Sequence, residues 1–226
     1  MNRIRSSFSD RRLAAVGSLL VLSLFVVAMI GVRVVHTGTL THVAIAWNLV
    51  LAWVPFVLAL ILYDRARAGA SRWTLGGLGA LWLLFFPNAP YIVTDLKHLR
   101  LGGVPVWYDL LLLSAAAWAG LLIGFMSLYL VQAVARRLLG PLNGWIFVFG
   151  VLGLSSFGIY LGRFRRWNSW DVVVRPRPLF GEVARGLLHP ADHPRPVAVT
   201  VLFTSFLFAT YLVFYSFARM SAVVRD

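Results

Sequence analysis

The sequence predicts an all-α fold, a polytopic transmembrane helical bundle of about six membrane-spanning helices with the third broken near Pro87 and Pro90. Three observations carry this reading. Six stretches of about twenty residues are nearly devoid of charge, the length that a helix rising about 1.5 Å per residue needs to cross a hydrocarbon layer about 30 Å thick. Apolar residues make up 60% of the chain, and only 21 basic and 8 acidic side chains are spread over its 226 residues, well outside the soluble globular range. The runs stay apolar on every face, whereas barrel strands alternate apolar and polar every second residue. Residues 1–226 therefore read as a single membrane domain with no soluble domain left over.

The first stretch, Leu13–Val32, follows Arg3, Arg5, Arg11 and Arg12. It looks like a secretory signal, but the run is too long and no small-residue cleavage site follows Val32, so it reads as an uncleaved first helix. The second, Val43–Tyr63, is interrupted only by Asn48, which suits an interhelical hydrogen bond, and by Pro55. The third, Leu75–Val93, runs for about fourteen residues from Trp73 to Phe86 before meeting Pro87-Asn88-Ala89-Pro90-Tyr91. Two prolines three apart remove amide donors and clash with the preceding turn, so the helix must break. Either Pro87 merely ends a short helix at the interface, or the broken backbone lies at membrane depth. In the second case it survives only when buried in protein or lining a wet cavity, a pointer to a binding site.

In the fourth stretch, Leu110–Val131, Gly120 and Gly124 allow close helix approach, within one chain or between copies. The fifth and sixth are Trp145–Leu161 and Val197–Ala218, joined by a loop over 162–196. That loop contains Pro176, Pro178, Pro190, Pro194 and Pro196, which predicts an extended segment with one short interfacial helix near Leu179–Leu188. Six crossings put both termini on one face. Lys and Arg near helix ends favour the cytoplasm, and with the amino terminus inside the tally is 11 inside against 10 outside. The near-tie comes from the 162–196 loop, while the first helix shows four against one. The expectation is cytoplasmic N- and C-termini.

Polar residues concentrate in two places. After the break come Thr94, Asp95, Lys97 and His98, and one helical turn places the Asp95 carboxylate and the His98 imidazole on one face. Such a pair can bind a metal, relay a proton or act as acid and base, but it is also an ordinary solvated pair in a membrane-exit loop. The fifth stretch runs out into Tyr160-Leu161-Gly162-Arg163-Phe164-Arg165-Arg166-Trp167-Asn168-Ser169-Trp170-Asp171. This reads either as an aromatic belt with snorkelling arginines, or as guanidiniums forming a receptor for phosphate or carboxylate, oriented by Asn168 and Asp171. By parity of crossings both clusters emerge on the same face. His189, Asp192 and His193 with Asp95 and His98 could supply a zinc-like shell, though no spacing among them is diagnostic of a metal.

The remaining features exclude more than they assign. Cysteine is absent, so disulfide and thiolate chemistry are unavailable. The formal charge of +13 does not indicate nucleic acid, because the arginines sit at helix ends where they snorkel to the lipid bilayer and attract anionic lipid headgroups. Gly76, Gly77 and Gly79 are not a phosphate loop, since no Gly-Lys-Ser/Thr follows, and no metalloprotease, serine-elbow or dinucleotide motif identifies a reaction or cofactor.

At its two clusters the chain resembles a bacterial family of integral membrane proteins, domain-of-unknown-function family 1361. The carrying residues are Phe86-Pro87-Asn88-Ala89-Pro90-Tyr91 with Thr94-Asp95-Leu96 and His98, then Trp107-Tyr108-Asp109, then Tyr160-Leu161-Gly162-Arg163-Phe164 with Arg166-Trp167-Asn168-Ser169-Trp170-Asp171. The resemblance implies several membrane helices in a bacterial inner membrane, and no known activity. The expectation is a polar, anion-binding pocket at the outer face, built by Asn88, Tyr91, Asp95 and His98 against Arg163, Arg166, Asn168, Trp170 and Asp171. The alternatives are a small-solute or ion transporter, an enzyme acting on lipid-linked substrates, or a scaffold contacting another membrane protein.

Overall fold

The computed structural model describes residues 2–99, 103–165, 167, 174–178, 181 and 194–223. Among these there is no strand. The helices are α1 (Asn2–Thr37), α2 (Val43–Arg67), α3 (Arg72–Phe85), α4 (Asn88–Tyr91), a 3₁₀ helix (Ile92–His98), α5 (Val106–Leu139), α6 (Pro141–Phe164) and α7 (Pro194–Val223). Six segments are long and apolar enough to cross a membrane, with α3, α4 and the 3₁₀ helix forming one of them, Arg72–His98. The chain is an all-α, multi-pass integral membrane protein. The helices run past the apolar stretches that mark them: α1 continues through Arg33 to Thr37, and α5 carries Asp109 in its first turn and Arg136 in its last.

α5 is the axis of the bundle. It packs on α1, α2, α4, the 3₁₀ helix and α6, and 61% of its most apolar window is buried against 17% for α7, which leans chiefly on α6. One apolar cluster joins Trp82, Phe86, Leu128, Leu152 and Tyr211; a second joins Val26, Leu49, Ile92 and Leu112. Leucine, valine and phenylalanine side chains such as Leu24, Phe149 and Leu202 face outward, the expected surface toward lipid tails. α5 and α6 are joined by Gly140 alone, which adopts φ +93, a value side chains disfavour, and Pro141 then starts α6 with its ring in a helical φ.

The break in the third span is a change of hydrogen bonding. Phe86, Pro87, Tyr91 and Ile92 all keep right-handed helical dihedrals. Pro87 and Pro90 contribute no amide hydrogen, so Phe86 O accepts from Ala89 N at 3.1 Å, and Phe85 O accepts from the Asn88 side chain at 3.0 Å. Ala89, Pro90 and Ile92 are buried, so the interrupted backbone is sheltered by protein.

Glycines make that shelter. A Cβ on Gly120 would lie 2.5 Å from the Ala89 carbonyl oxygen, and one on Gly124 would lie 3.1 Å from the Ala89 Cβ. On α6, Gly158 faces Pro87 at 3.2 Å and Gly162 faces the Tyr91 ring at 3.2 Å. Two glycine pairs, each four residues apart, thus let α5 and α6 close on the segment 86–92 from both sides. The contact that Gly120 and Gly124 provide is within this chain.

Contacts sort the helix ends into two rims. Arg12 on α1 makes a bidentate pair with Asp64 at the end of α2, and Arg136 at the end of α5 donates to Tyr215 of α7. At the opposite rim, the end of α1 meets the start of α5 through Arg33 and Asp109, and the 3₁₀ helix meets the end of α6 through Asp95 and Arg163.

Candidate functional site

Asp95 is the centre of the second rim. Its carboxylate is 4% exposed, accepting from Arg163 Nη2 on Oδ1 at 2.6 Å and from Asn48 Nδ2 on Oδ2 at 2.9 Å. Three transmembrane segments are therefore tied together by one side chain. Arg163 also donates through Nε to Thr94 Oγ1 at 2.8 Å, and Thr94 in turn donates to the Tyr91 carbonyl at 2.7 Å. The guanidinium stacks over the Tyr91 ring, 4.8 Å from its centroid, a contact worth about 2 kcal/mol when desolvated. His98, three residues on, keeps its Nδ1 3.8 Å from Asp95 Oδ1 and stays one-third exposed, so it faces the open side of the cluster.

Local structure explains the convergence. The 3₁₀ winding of Ile92–His98 places residues three apart directly above one another, which brings Thr94 over Tyr91 and His98 over Asp95. At the end of α6, the Arg165 and Trp167 amides both donate to the Leu161 carbonyl, at 3.1 and 3.2 Å. The chain thereby folds back across Gly162, whose missing side chain leaves room for the Tyr91 ring and the Trp167 carbonyl oxygen.

Of the residues expected to build a pocket, Tyr91, Asp95, His98 and Arg163 come together. Asn88 donates its side-chain amide to the Phe85 carbonyl at the helix break. Arg166, Asn168, Trp170 and Asp171 lie outside the described residues, as do the triplet His189, Asp192 and His193 and all but Gly181 of the short helix expected near Leu179–Leu188. No group of three metal-ligating side chains occurs among the described residues. Asn48 serves as an interhelical hydrogen bond whose partner is the site carboxylate.

A second buried ion pair lies on the same rim. Arg33 Nε and Nη2 donate to the Asp109 carboxylate at 2.8 and 3.3 Å, with both side chains at most 2% exposed. Arg33 Nη1 also reaches Thr41 at 3.1 Å and Thr39 at 3.4 Å. Arg33 falls just past the Leu13–Val32 stretch, and the helix continues through it, which carries its side chain to Asp109. His42, between α1 and α2, is 1% exposed; Nδ1 lies 3.2 Å from Thr41 Oγ1, and Nε2 has no partner among the described residues. Burial first, and the Arg33 charge second, lower its pKa below the usual 6.5; Asp109 and Asp95 oppose this, and His98 adds to it.

The arrangement offers a fixed carboxylate, a guanidinium held over an aromatic ring and a partly exposed imidazole. It can present charge and hydrogen bonds to a ligand at the rim; nothing in it selects one reaction. No curated protein and no solved structure matches the chain. The profile of one protein family, described as a protein of unknown function (DUF1361), matches residues 47–222, which include Asn48, the broken third span, Asp109 and the end of α6. The chain belongs to the DUF1361 family.

Proposed function

We propose that this protein binds an anionic or amphipathic ligand at the rim that carries Asp95 and Arg163. The supporting observation is the cluster itself: Asp95, Arg163, Asn48, Thr94 and Tyr91 are drawn from three membrane segments into one hydrogen-bonded set beside the half-open His98. Polar groups cost energy in a membrane protein unless satisfied, and such clusters are placed where they act. The sequence around it is cationic, with Lys97, His98 and seven arginines between Arg163 and Arg195 against Asp171, Glu182 and Asp192, which favours an anion. In this reading the Asp95–Arg163 pair is the rigid floor, and Asn88, Tyr91, His98, Arg166, Asn168, Trp170 and Asp171 supply the rest of the pocket.

The reading extends to placement. The protein resides in a bacterial inner membrane with both termini cytoplasmic, following the excess of arginine before the first apolar stretch, and its collar of arginines contacts anionic lipid headgroups. The ligand site then faces outward.

The test is mass spectrometry of small molecules and lipids retained by the full chain through mild detergent extraction. Removing one partner of a buried pair costs about 3–5 kcal/mol, so the variant to compare is the double substitution Asp95→Leu with Arg163→Met, which leaves no orphaned charge. The expected result is an anionic species retained by wild type and reduced at least about tenfold in the double variant at equal thermal stability, an affinity loss of about 1.4 kcal/mol or more. A wild type that retains no anionic species beyond those the double variant also keeps overturns the reading.

A further inference from the structure

At the opposite rim a cleft of about 450 Å³ separates the start of α3 from the end of α5. Its origin lies in the seating of the helix break. The far end of the third span is held to α5 by Gly120 and Gly124 and by Trp82 Nε1 donating to Ser127 Oγ at 3.2 Å. From Trp82 back to Arg72, α3 rests on α2 instead and stands off α5. Leu75, Gly79 and Leu83 then face Val131, Val134 and Leu138 across open space. Two glycines keep the space clear: a Cβ on Gly76 would touch nothing within 4 Å, and one on Gly79 would meet only the tip of Leu62, at 3.8 Å.

We infer that this cleft holds one acyl chain of an anionic phospholipid, with the phosphate at Arg72. The lining runs from Arg72 to Leu83, roughly 16 Å of helix, and its volume lies in the range of ligand-binding cavities, about 300–1,000 Å³. Arg72, the first residue of α3, stands exposed where the cleft meets the rim. No acidic side chain pairs with it among the described residues, and Asp64, the one acidic side chain described on this rim, is taken by Arg12. Arg65, Arg67, Arg136, Arg137 and Arg219 share the same rim, so the field there favours a phosphodiester. An apolar slot pointing into the membrane with a cation at its outer end has the polarity of a phospholipid.

The site lies at the other end of the bundle from Asp95, so lipid that the Asp95→Leu with Arg163→Met variant keeps and Arg72→Gln loses belongs here and not to the ligand proposed there. Full-length protein is purified in vesicles of phosphatidylglycerol and phosphatidylcholine with identical chains, and the lipid surviving detergent exchange is measured. Wild type should retain phosphatidylglycerol about fivefold over phosphatidylcholine, the worth of one cation near the surface. Arg72→Gln should bring that ratio near one, and Gly76→Leu should lose most of both lipids by filling the cleft. A wild-type ratio of one, or variants indistinguishable from wild type, overturns the inference. A measurement on wild type alone covers the case in which a variant misfolds: phosphatidylglycerol with a photoactivatable group at its chain end should label residues near Leu83 and Val131. Labelling spread evenly over α1 and α7, or blocked by a co-purifying protein, also overturns it.

Discussion

His42 shows how a single side chain reports its surroundings. It sits in the short connection between α1 and α2, yet it is buried more deeply than most loop residues because Arg33, Thr41 and Asp109 close around it. A buried imidazole resists protonation, and the neighbouring guanidinium adds to the resistance. Since its pKa in the folded protein is depressed, the unfolded chain binds the proton more readily, and folding stability rises with pH across that interval. The thermal midpoint of the solubilised protein should therefore be flat above pH 6.5, the ordinary histidine value, and fall as pH drops below it. His42→Gln removes this titration and should make the profile shallower between pH 7 and pH 5.5 than that of wild type. Parallel pH profiles for wild type and variant would show that His42 is neutral or charged at no cost.

At the scale of elements, the decisive contact is between the broken third span and the two glycine pairs. Gly120 and Gly76 are both helical glycines, but their neighbourhoods are opposite: the first faces the Ala89 carbonyl oxygen within 2.5 Å of a built Cβ, the second faces nothing within 4 Å. Gly120→Ala should destabilise by about 1–3 kcal/mol, because α4 must move off α5. Gly76→Ala should be neutral or stabilising by up to about 1 kcal/mol, since alanine loses less conformational freedom in a helix. Thermal unfolding of both variants against wild type decides it, and similar shifts for the two would mean that the close approach of α4 to α5 carries no energetic weight. Because Asp95 follows this segment, Gly120→Ala should also loosen the Asp95–Arg163 contact.

The whole molecule presents two unlike rims, one with buried ion pairs and one rich in arginine around an apolar cleft. Their placement across the membrane is testable because the chain has no cysteine. A Ser169→Cys variant in intact cells should react with an impermeant thiol reagent, and protection that ends on lysis would reverse the proposed orientation. The sequence by itself determined the solvent, the number of crossings and the position of the helix break. Each of these is a local property: runs of apolar side chains long enough to span lipid, and two prolines that withhold amide hydrogens at fixed positions. It also brought the ends of the third and fifth predicted spans to one face by counting crossings. Only the tertiary structure decided which groups meet there. That Asn48 reaches Asp95, that Arg33 is buried against Asp109 rather than lying in a loop, and that Gly158 and Gly162 complete the seat begun by Gly120 and Gly124 all depend on helix rotation and depth. Those are set by how side chains interlock between segments far apart in the chain, and apolar runs that look alike on every face carry no record of it.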